Sequence, residues 1–372
     1  MIGAAYSTWD AEMLIRLSTS LIVGLIGLLL GSGADKSPGM LQAGGSTLVA
    51  PIMSQWAAEY AKSSGVQVSY QAIGSAEGIR KVIARELDFC CTDAPLSGEQ
   101  LEKAKATGGE VLHIPLVMGA VVPIYHLEGV AKPLNFSGPV LAAIFMGNLT
   151  HWNDIRLVQL NPDIKLPERR IMPVHRADGS GTTFIFADFL YRTSETWREQ
   201  MGRGVSLRWP EGSVGMKGGE GVGTHVKNTP GAMGYVDLGQ ALASKLPFGA
   251  VRNRKGEFIQ GDLESVTTAA VNSLNEIPKD YRYSLANAPG IGSYPLCGTT
   301  WAVLYADTAA KNSAALAFLI WLVNSDGGQR VALTSELVPL PKGLVTRVRG
   351  RLAEVKQADT SAAAPGASQI DR

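Results

Sequence analysis

Cysteine is scarce in this chain, three residues in 372: Cys90, Cys91 and Cys297. So few thiols, and an odd number of them, exclude the disulfide framework of a small secreted scaffold. They read as small apolar strand residues, with a Cys91 to Cys297 disulfide as the alternative. The five histidines, His113, His126, His151, His175 and His225, fall at no metal-ligand spacing. With no paired CxxC motifs and no HExxH either, no metal and no other cofactor is expected. Charge is sparse too: Asp, Glu, Lys and Arg make up 18% of the residues, below the roughly 25% of average soluble domains. Lys and Arg number 34 against 33 Asp and Glu, a formal net charge of +1, which excludes the basic footprint of a nucleic-acid partner.

Long apolar runs are missing apart from residues 21–30. That run is short for a bilayer span and suits the central segment of an export signal. Asp10 and Glu12 are unusual ahead of such a segment, whereas a start at Met13 leaves Arg16 as the only charge before it. The small residues Ser32 and Ala34 set the expected cleavage after Ala34, which makes residues 1–34 a signal peptide and the mature protein an exported one. An uncleaved anchor is the alternative. No cysteine directly follows the run, which argues against a lipid anchor.

At 372 residues the chain is longer than single cores usually grow, so two domains are expected. Pro51 precedes a helical stripe of Ile52, Met53, Trp56, Ala57 and Tyr60, and residues 66–72 then alternate as a strand. Ile79, Val82, Ile83 and Leu87 resume the helical period, and residues 87–92 form a short buried strand ended by Asp93-Ala94-Pro95. This alternation predicts an α/β fold with mostly parallel sheets flanked by helices. Extended runs at 111–125 and 293–305 are the expected crossovers, placing residues 41–118 and 293–355 in a discontinuous first domain and 119–292 in a second. The second is expected to hold a helix over 140–146, a strand over 171–175 and a helix over 182–197. Helices over 309–323 and 344–355 complete the first, and the aperiodic tail 357–372 is expected to be disordered.

Three loops share one pattern, a glycine and a small hydroxyl residue ahead of a predicted helix: Gly45-Ser46-Thr47, Gly74-Ser75 and Asp178-Gly179-Ser180-Gly181-Thr182. A helix start offers unpaired N–H groups and a positive dipole end, and glycine lets an anion approach the backbone closely. Ordinary N-capping accounts for any one of them; their recurrence points to an oxyanion. Arg176 can fork two N–H groups onto a tetrahedral anion, with Asp178 holding the guanidinium. Asp93 ends its strand where ligands of open α/β sheets collect. A carboxylate there can only accept, so it favours an anion that keeps a proton, as phosphate does and sulfate does not. A fully ionised anion facing it is a desolvated mismatch.

These residues carry a resemblance. Gly45-Ser46-Thr47 with Ala50-Pro51, Tyr70-Gln71-Ala72-Ile73-Gly74-Ser75, Asp88-Phe89 through Asp93-Ala94-Pro95-Leu96-Ser97, and Arg176 through Thr182 together resemble the periplasmic phosphate-binding protein of the high-affinity phosphate ABC importer. The resemblance implies a two-domain periplasmic-binding-protein fold with inorganic phosphate in the interdomain cleft and no enzymatic activity. It also implies the membrane permease and ATPase subunits of an ABC importer as partners; a monomer is expected. Thr47, Ser75, Ser180 and Thr182 would donate hydroxyl hydrogen bonds, and Leu48 and Gly181 backbone N–H groups. Arg176 would be the cation, Asp178 its orienting partner and Asp93 the acceptor of the ligand's proton.

The chain departs from the family pattern at Leu48, where Phe is usual and the backbone is the functional part. It departs again at Glu77, in a turn that favours Ser or Gly, where an outward side chain is expected. Cys90 and Cys91 replace small residues beside Asp93 and suggest sensitivity to oxidation. The alternative ligands are arsenate, sulfate and molybdate, and Asp93 argues against the fully ionised ones. A phosphate-ester hydrolase using Ser180 lacks the glycine of a nucleophile elbow, and strand alternation turns His175 away from Arg176. Gly215-Met216-Lys217-Gly218-Gly219 lacks the ending of a phosphate-binding P-loop and reads as an ordinary loop.

Overall fold

The computed structural model describes residues 40–130, 132–306 and 313–362, except the side chains of 313 and 356–362. The expected signal peptide, residues 307–312 and residues 363–372 lie outside the described residues. The elements that position the site begin with β1 (Met40–Gly45), α1 (Ala50–Ser64), β2 (Gln67–Gln71), α2 (Ser75–Ile83), β3 (Phe89–Thr92), α3 (Gly98–Gly108) and β4 (Val111–Tyr125). Next come α4 (Gly138–Phe145), β5 (Met172–Arg176), α5 (Gly181–Thr193), α6 (Glu195–Gln200), β6 (Val214–Met216), α7 (Gly218–Asn228), β7 (Ala232–Asp237) and α8 (Leu238–Ala243). The last are β8 (Cys297–Tyr305), α9 (Ser313–Leu322), β9 (Val338–Pro339) and α10 (Lys342–Ala362).

A nine-stranded sheet has the order β2-β1-β3-β8-β4-β7-β5-β6, with β9 also paired to β4. β1 and β3 are parallel, and β8 runs antiparallel between β3 and β4. β7 runs antiparallel to β4 and parallel to β5, which is parallel to β6. β4 is shared between the two halves of this sheet: Val111 to Ala120 pair with β8, and Val121 to Tyr125 pair with β7. Because β3 runs with β4 while β5 and β7 run against it, the C-terminal ends of the strands from the two halves converge on the middle of β4. Pro115 does not break β4, since it stands beside the register shift at Thr300 and Trp301 of β8.

Local chemistry accounts for the main elements. α1 buries Ile52, Met53, Trp56 and Tyr60 on one face and ends at Gly65, whose left-handed φ of 72° lets its N–H reach the Ala61 carbonyl. The Trp56 Nε1–H donates to the Gly328 carbonyl at 2.8 Å and ties this helix to the C-terminal segment. α5 is buried along most of its length, and its Phe186 ring stacks on Tyr235 of β7 at 4.2 Å.

Four expectations change. The helix expected over 182–197 is two helices: Ser194 is extended, with φ −133° and ψ 118°, and its hydroxyl caps α6 by accepting the Trp197 N–H. Helical spacing through Leu87 outruns α2, which ends at Ile83; Arg85 turns the chain with φ 59°, and Leu87 is buried beyond the turn. α10 runs through residues 357–362 of the segment expected to be disordered, where Gln357 and Ala358 favour helix. Cys90, Cys91 and Cys297 are free and buried. Cys91 pairs with Ala302, five positions along β8 from Cys297, about 17 Å at roughly 3.3 Å per residue. A disulfide cannot reach across that separation.

Candidate functional site: an anion cradle between strand ends

The hydroxyl residues of the three loops differ in what they already do. Val49 caps α1 and Gly74 caps α2, neither through a side chain, so the hydroxyls of Thr47 and Ser75 are not consumed as caps. Ser180 is an ordinary cap, its Oγ accepting the Thr183 N–H at 3.3 Å. The Gly181 and Thr182 N–H groups at the start of α5 have no capping partner among the described residues and remain donors at the positive end of the helix. The Leu48 N–H, expected as a ligand donor, points to Ser46 Oγ at 3.2 Å.

Asp93 lies just beyond β3 and is only 1% exposed. Its Oδ2 accepts from Ser46 Oγ at 2.6 Å and its Oδ1 from Thr300 Oγ1 at 2.5 Å. Its N–H donates to Ser75 Oγ at 3.3 Å. Burial pushes the carboxyl up to about 6, against the two hydroxyl bonds, which favour the ionised form. Across from it, Arg176 ends β5 and is also buried. Its Nε donates to Asp178 Oδ1 at 2.8 Å, a second donor, Nη2, meets Asp178 Oδ2, and Nη1 reaches Thr47 Oγ1 at 3.4 Å. The Gly218 N–H adds a bond to Asp178 Oδ1 at 2.9 Å. Burial acts to raise Asp178, but the Arg176 fork and charge overcome it and hold the carboxyl below the usual range.

Gly181 closes the gap between the two sides. A Cβ at this position would lie 2.2 Å from Asp93 Oδ2 and 2.5 Å from Ser75 Oγ, so only glycine brings the α5 backbone this close. The Ala76 N–H also bonds the Gly179 carbonyl at 3.1 Å. The sequence-predicted residues Thr47, Ser75, Asp93, Arg176, Asp178, Ser180, Gly181 and Thr182 therefore share one neighbourhood, joined by the contacts described. Glu77 points outward and pairs with Arg80 at 2.9 Å on the surface.

Sequence reasoning gave neither Thr300 nor Ser46 a role; both are hydroxyl partners of Asp93. It also missed Asp237, which lines a cavity of about 790 Å³ together with Thr47 and Gly218. Ser46 lay inside a recognised motif, whereas Thr300 reaches Asp93 from 207 positions away, a pairing that no local pattern encodes. Cys90 and Cys91 are fully buried and burial pushes both thiols up, so the expected sensitivity to oxidation is unsupported by their chemistry. His175 stacks on Trp209 with ring centroids 4.6 Å apart. Among the described residues, no three His, Cys, Asp or Glu side chains cluster as a metal site, and no helix is long and apolar enough to cross a membrane.

A cradle of helix starts and hydroxyls between converging strand ends is the arrangement of a binding protein of the PBP superfamily, and the sequence model of the PBP superfamily domain matches residues 32–326. The phosphate-binding protein PstS of Xylella fastidiosa is 38% identical over 307 residues, covering 82% of each chain. That of Haemophilus influenzae is 34% identical over 335 residues, 89% of this chain and 98% of its own. The chain belongs to this PstS family. In fold it is similar to a putative phosphate ABC transporter substrate-binding protein with bound phosphate from Clostridium perfringens. The two share a TM-score of 0.60 and 16% identity over 81% of this chain and 100% of that one.

Proposed function

We propose that this protein is a non-enzymatic receptor that captures inorganic phosphate in the periplasm and delivers it to the permease and ATPase subunits of an ABC importer. The supporting observation is the buried Asp93 carboxylate, held by Ser46 and Thr300 and facing the start of α5. An acceptor in that position selects a tetrahedral anion that retains a proton. Thr47, Ser75, Ser180 and Thr182 supply hydroxyls, Gly181 a backbone N–H group, and Arg176, oriented by Asp178, the compensating charge. Residues 41–118 with 293–355 and residues 119–292 act as lobes that close over the ligand. Membership of the PstS family and the phosphate named for its relatives support the same ligand. Arsenate satisfies the same proton requirement and is expected to compete.

Calorimetric titration of ligand-stripped protein with phosphate and with sulfate tests this reading. Tight phosphate binding, weak sulfate binding and loss of both in Arg176→Ala are expected. A folded wild type that binds no phosphate would overturn it.

A further inference from the structure

One carboxylate at the convergence of the strand ends has no task in the cradle described above. Asp237 ends β7, beside the strand that ends in Arg176, and pairs with Val121 at the middle of β4. Its Oδ1 caps α8 by accepting the Gln240 N–H at 2.9 Å. Among the described residues no hydrogen bond is directed at Oδ2, and a Cβ placed on Gly219 of α7 would lie 3.5 Å from that oxygen. With Thr47, Asp237 lines the cavity of about 790 Å³ that adjoins the cradle.

The charges around it are unequal. Asp93 from the end of β3 and Asp178 from the loop after β5 are the nearby carboxylates of the cradle. Arg176, already engaged by Asp178, is its buried cation. From α7 and its N-cap, Lys217, Glu220 and His225 face the same cavity, and Glu336 approaches Gly239 on α8. Asp237 acts on Asp93 through space and helps to raise it, while burial raises Asp237 itself. Capping does not require this charge, because Ser97, Ser180 and Ser194 cap helices of this chain with a neutral hydroxyl.

We propose that Asp237 is a further specificity-determining residue, a carboxylate on the wall of the cavity that Thr47 also lines, whose negative charge disfavours the doubly charged form of the tetrahedral anion relative to the singly charged form. This rests on the phosphate-receptor reading. The repulsion scales with ligand charge, so each added unit on the anion costs more beside Asp237 than in water, while Arg176 and the α5 start attract both forms.

The test is calorimetric titration of the full chain with inorganic phosphate at about pH 6 and about pH 8.5, between which phosphate gains its second charge. Wild type is compared with Asp237→Asn and Asp237→Ser, both of which keep a cap acceptor for α8, with melting curves as the fold control. Either folded variant is expected to bind phosphate roughly tenfold tighter than wild type at the higher pH and within about twofold of it at the lower. An equal change at both pH values, no change at either, or weaker binding by a normally melting variant overturns the proposal. A wild type that binds no phosphate at either pH instead overturns the receptor reading.

Discussion

Thr300 Oγ1 donates to Asp93 Oδ1 at 2.5 Å and joins β8 to the end of β3. With the Ser46 bond it favours the ionised carboxylate that burial disfavours. Thr300→Val is nearly isosteric and removes this donor. Phosphate affinity at neutral pH is expected to fall about tenfold, since hydrogen bonds to charged groups are worth roughly 1.5–3 kcal/mol. Calorimetric titration checks this; unchanged affinity would mean that Ser46 alone holds the carboxylate.

The Asp93 carboxyl is pushed up from its ordinary 3.8 to about 6, chiefly by burial. It therefore binds its proton more tightly folded than unfolded, so its contribution to stability falls as pH rises from about 4 to about 6 and stays lost above. Ligand-free protein is expected to be less stable near neutral pH than near pH 5, by on the order of 1–3 kcal/mol from this group. Asp93→Asn should flatten that slope in calorimetric melting of stripped protein. An equally steep slope in the variant would show that other groups carry the dependence.

Gly181→Ala places a methyl group 2.2 Å from Asp93 Oδ2 and 2.5 Å from Ser75 Oγ. Alanine suits a first helical turn, so α5 should still form while its start is forced back from Asp93. Phosphate affinity is expected to fall about 100-fold or more, with a melting temperature close to wild type, because strict geometry is what the donors supply. Retained affinity would show that the closed approach is dispensable.

Arg176→Lys keeps the charge but loses the two-pronged contact with Asp178. It is expected to weaken phosphate binding about as severely as Arg176→Ala, since a point charge cannot replace a planar fork at a buried site. Binding within threefold of wild type in the lysine variant would reduce the role of Arg176 to charge alone.

The three thiols give an inexpensive check of the fold. Cys90, Cys91 and Cys297 are free and no more than 1% exposed. A disulfide-type thiol reagent is expected to modify none of them in the native protein and all three after unfolding. Prompt reaction in native conditions would contradict this burial.

Much of the site was legible because its donors sit in short local motifs. A glycine with a hydroxyl residue ahead of a helical stripe marks a helix start wherever it occurs, and Arg176, Asp178 and Ser180 fall within a single turn. The α/β class followed from alternating periods of apolar residues in the first half of the chain. The division of roles inside the motifs was not legible. Ser46 rather than Thr47 meets Asp93, and Ser180 Oγ accepts a capping bond while Ser75 does not cap, because these outcomes depend on backbone direction at single residues. Helical period alone hid the break at Ser194, where a capping hydroxyl competes with helix continuation.

The sequence by itself determined which groups are available to an oxyanion: the arginine, the proton-accepting aspartate, the hydroxyls and the glycines, each with its chemistry set by the side chain. Only the tertiary structure decided that they meet. The antiparallel runs of β8 and β7 on either side of β4 turn strand ends from distant parts of the chain toward each other. That brings Thr300 to Asp93, Gly181 against Ser75 and Asp237 to the cavity that Thr47 also lines. These pairings are long-range, so no local pattern encodes them, and the burial that raises Asp93 and Asp237 exists only once both halves of the sheet are assembled.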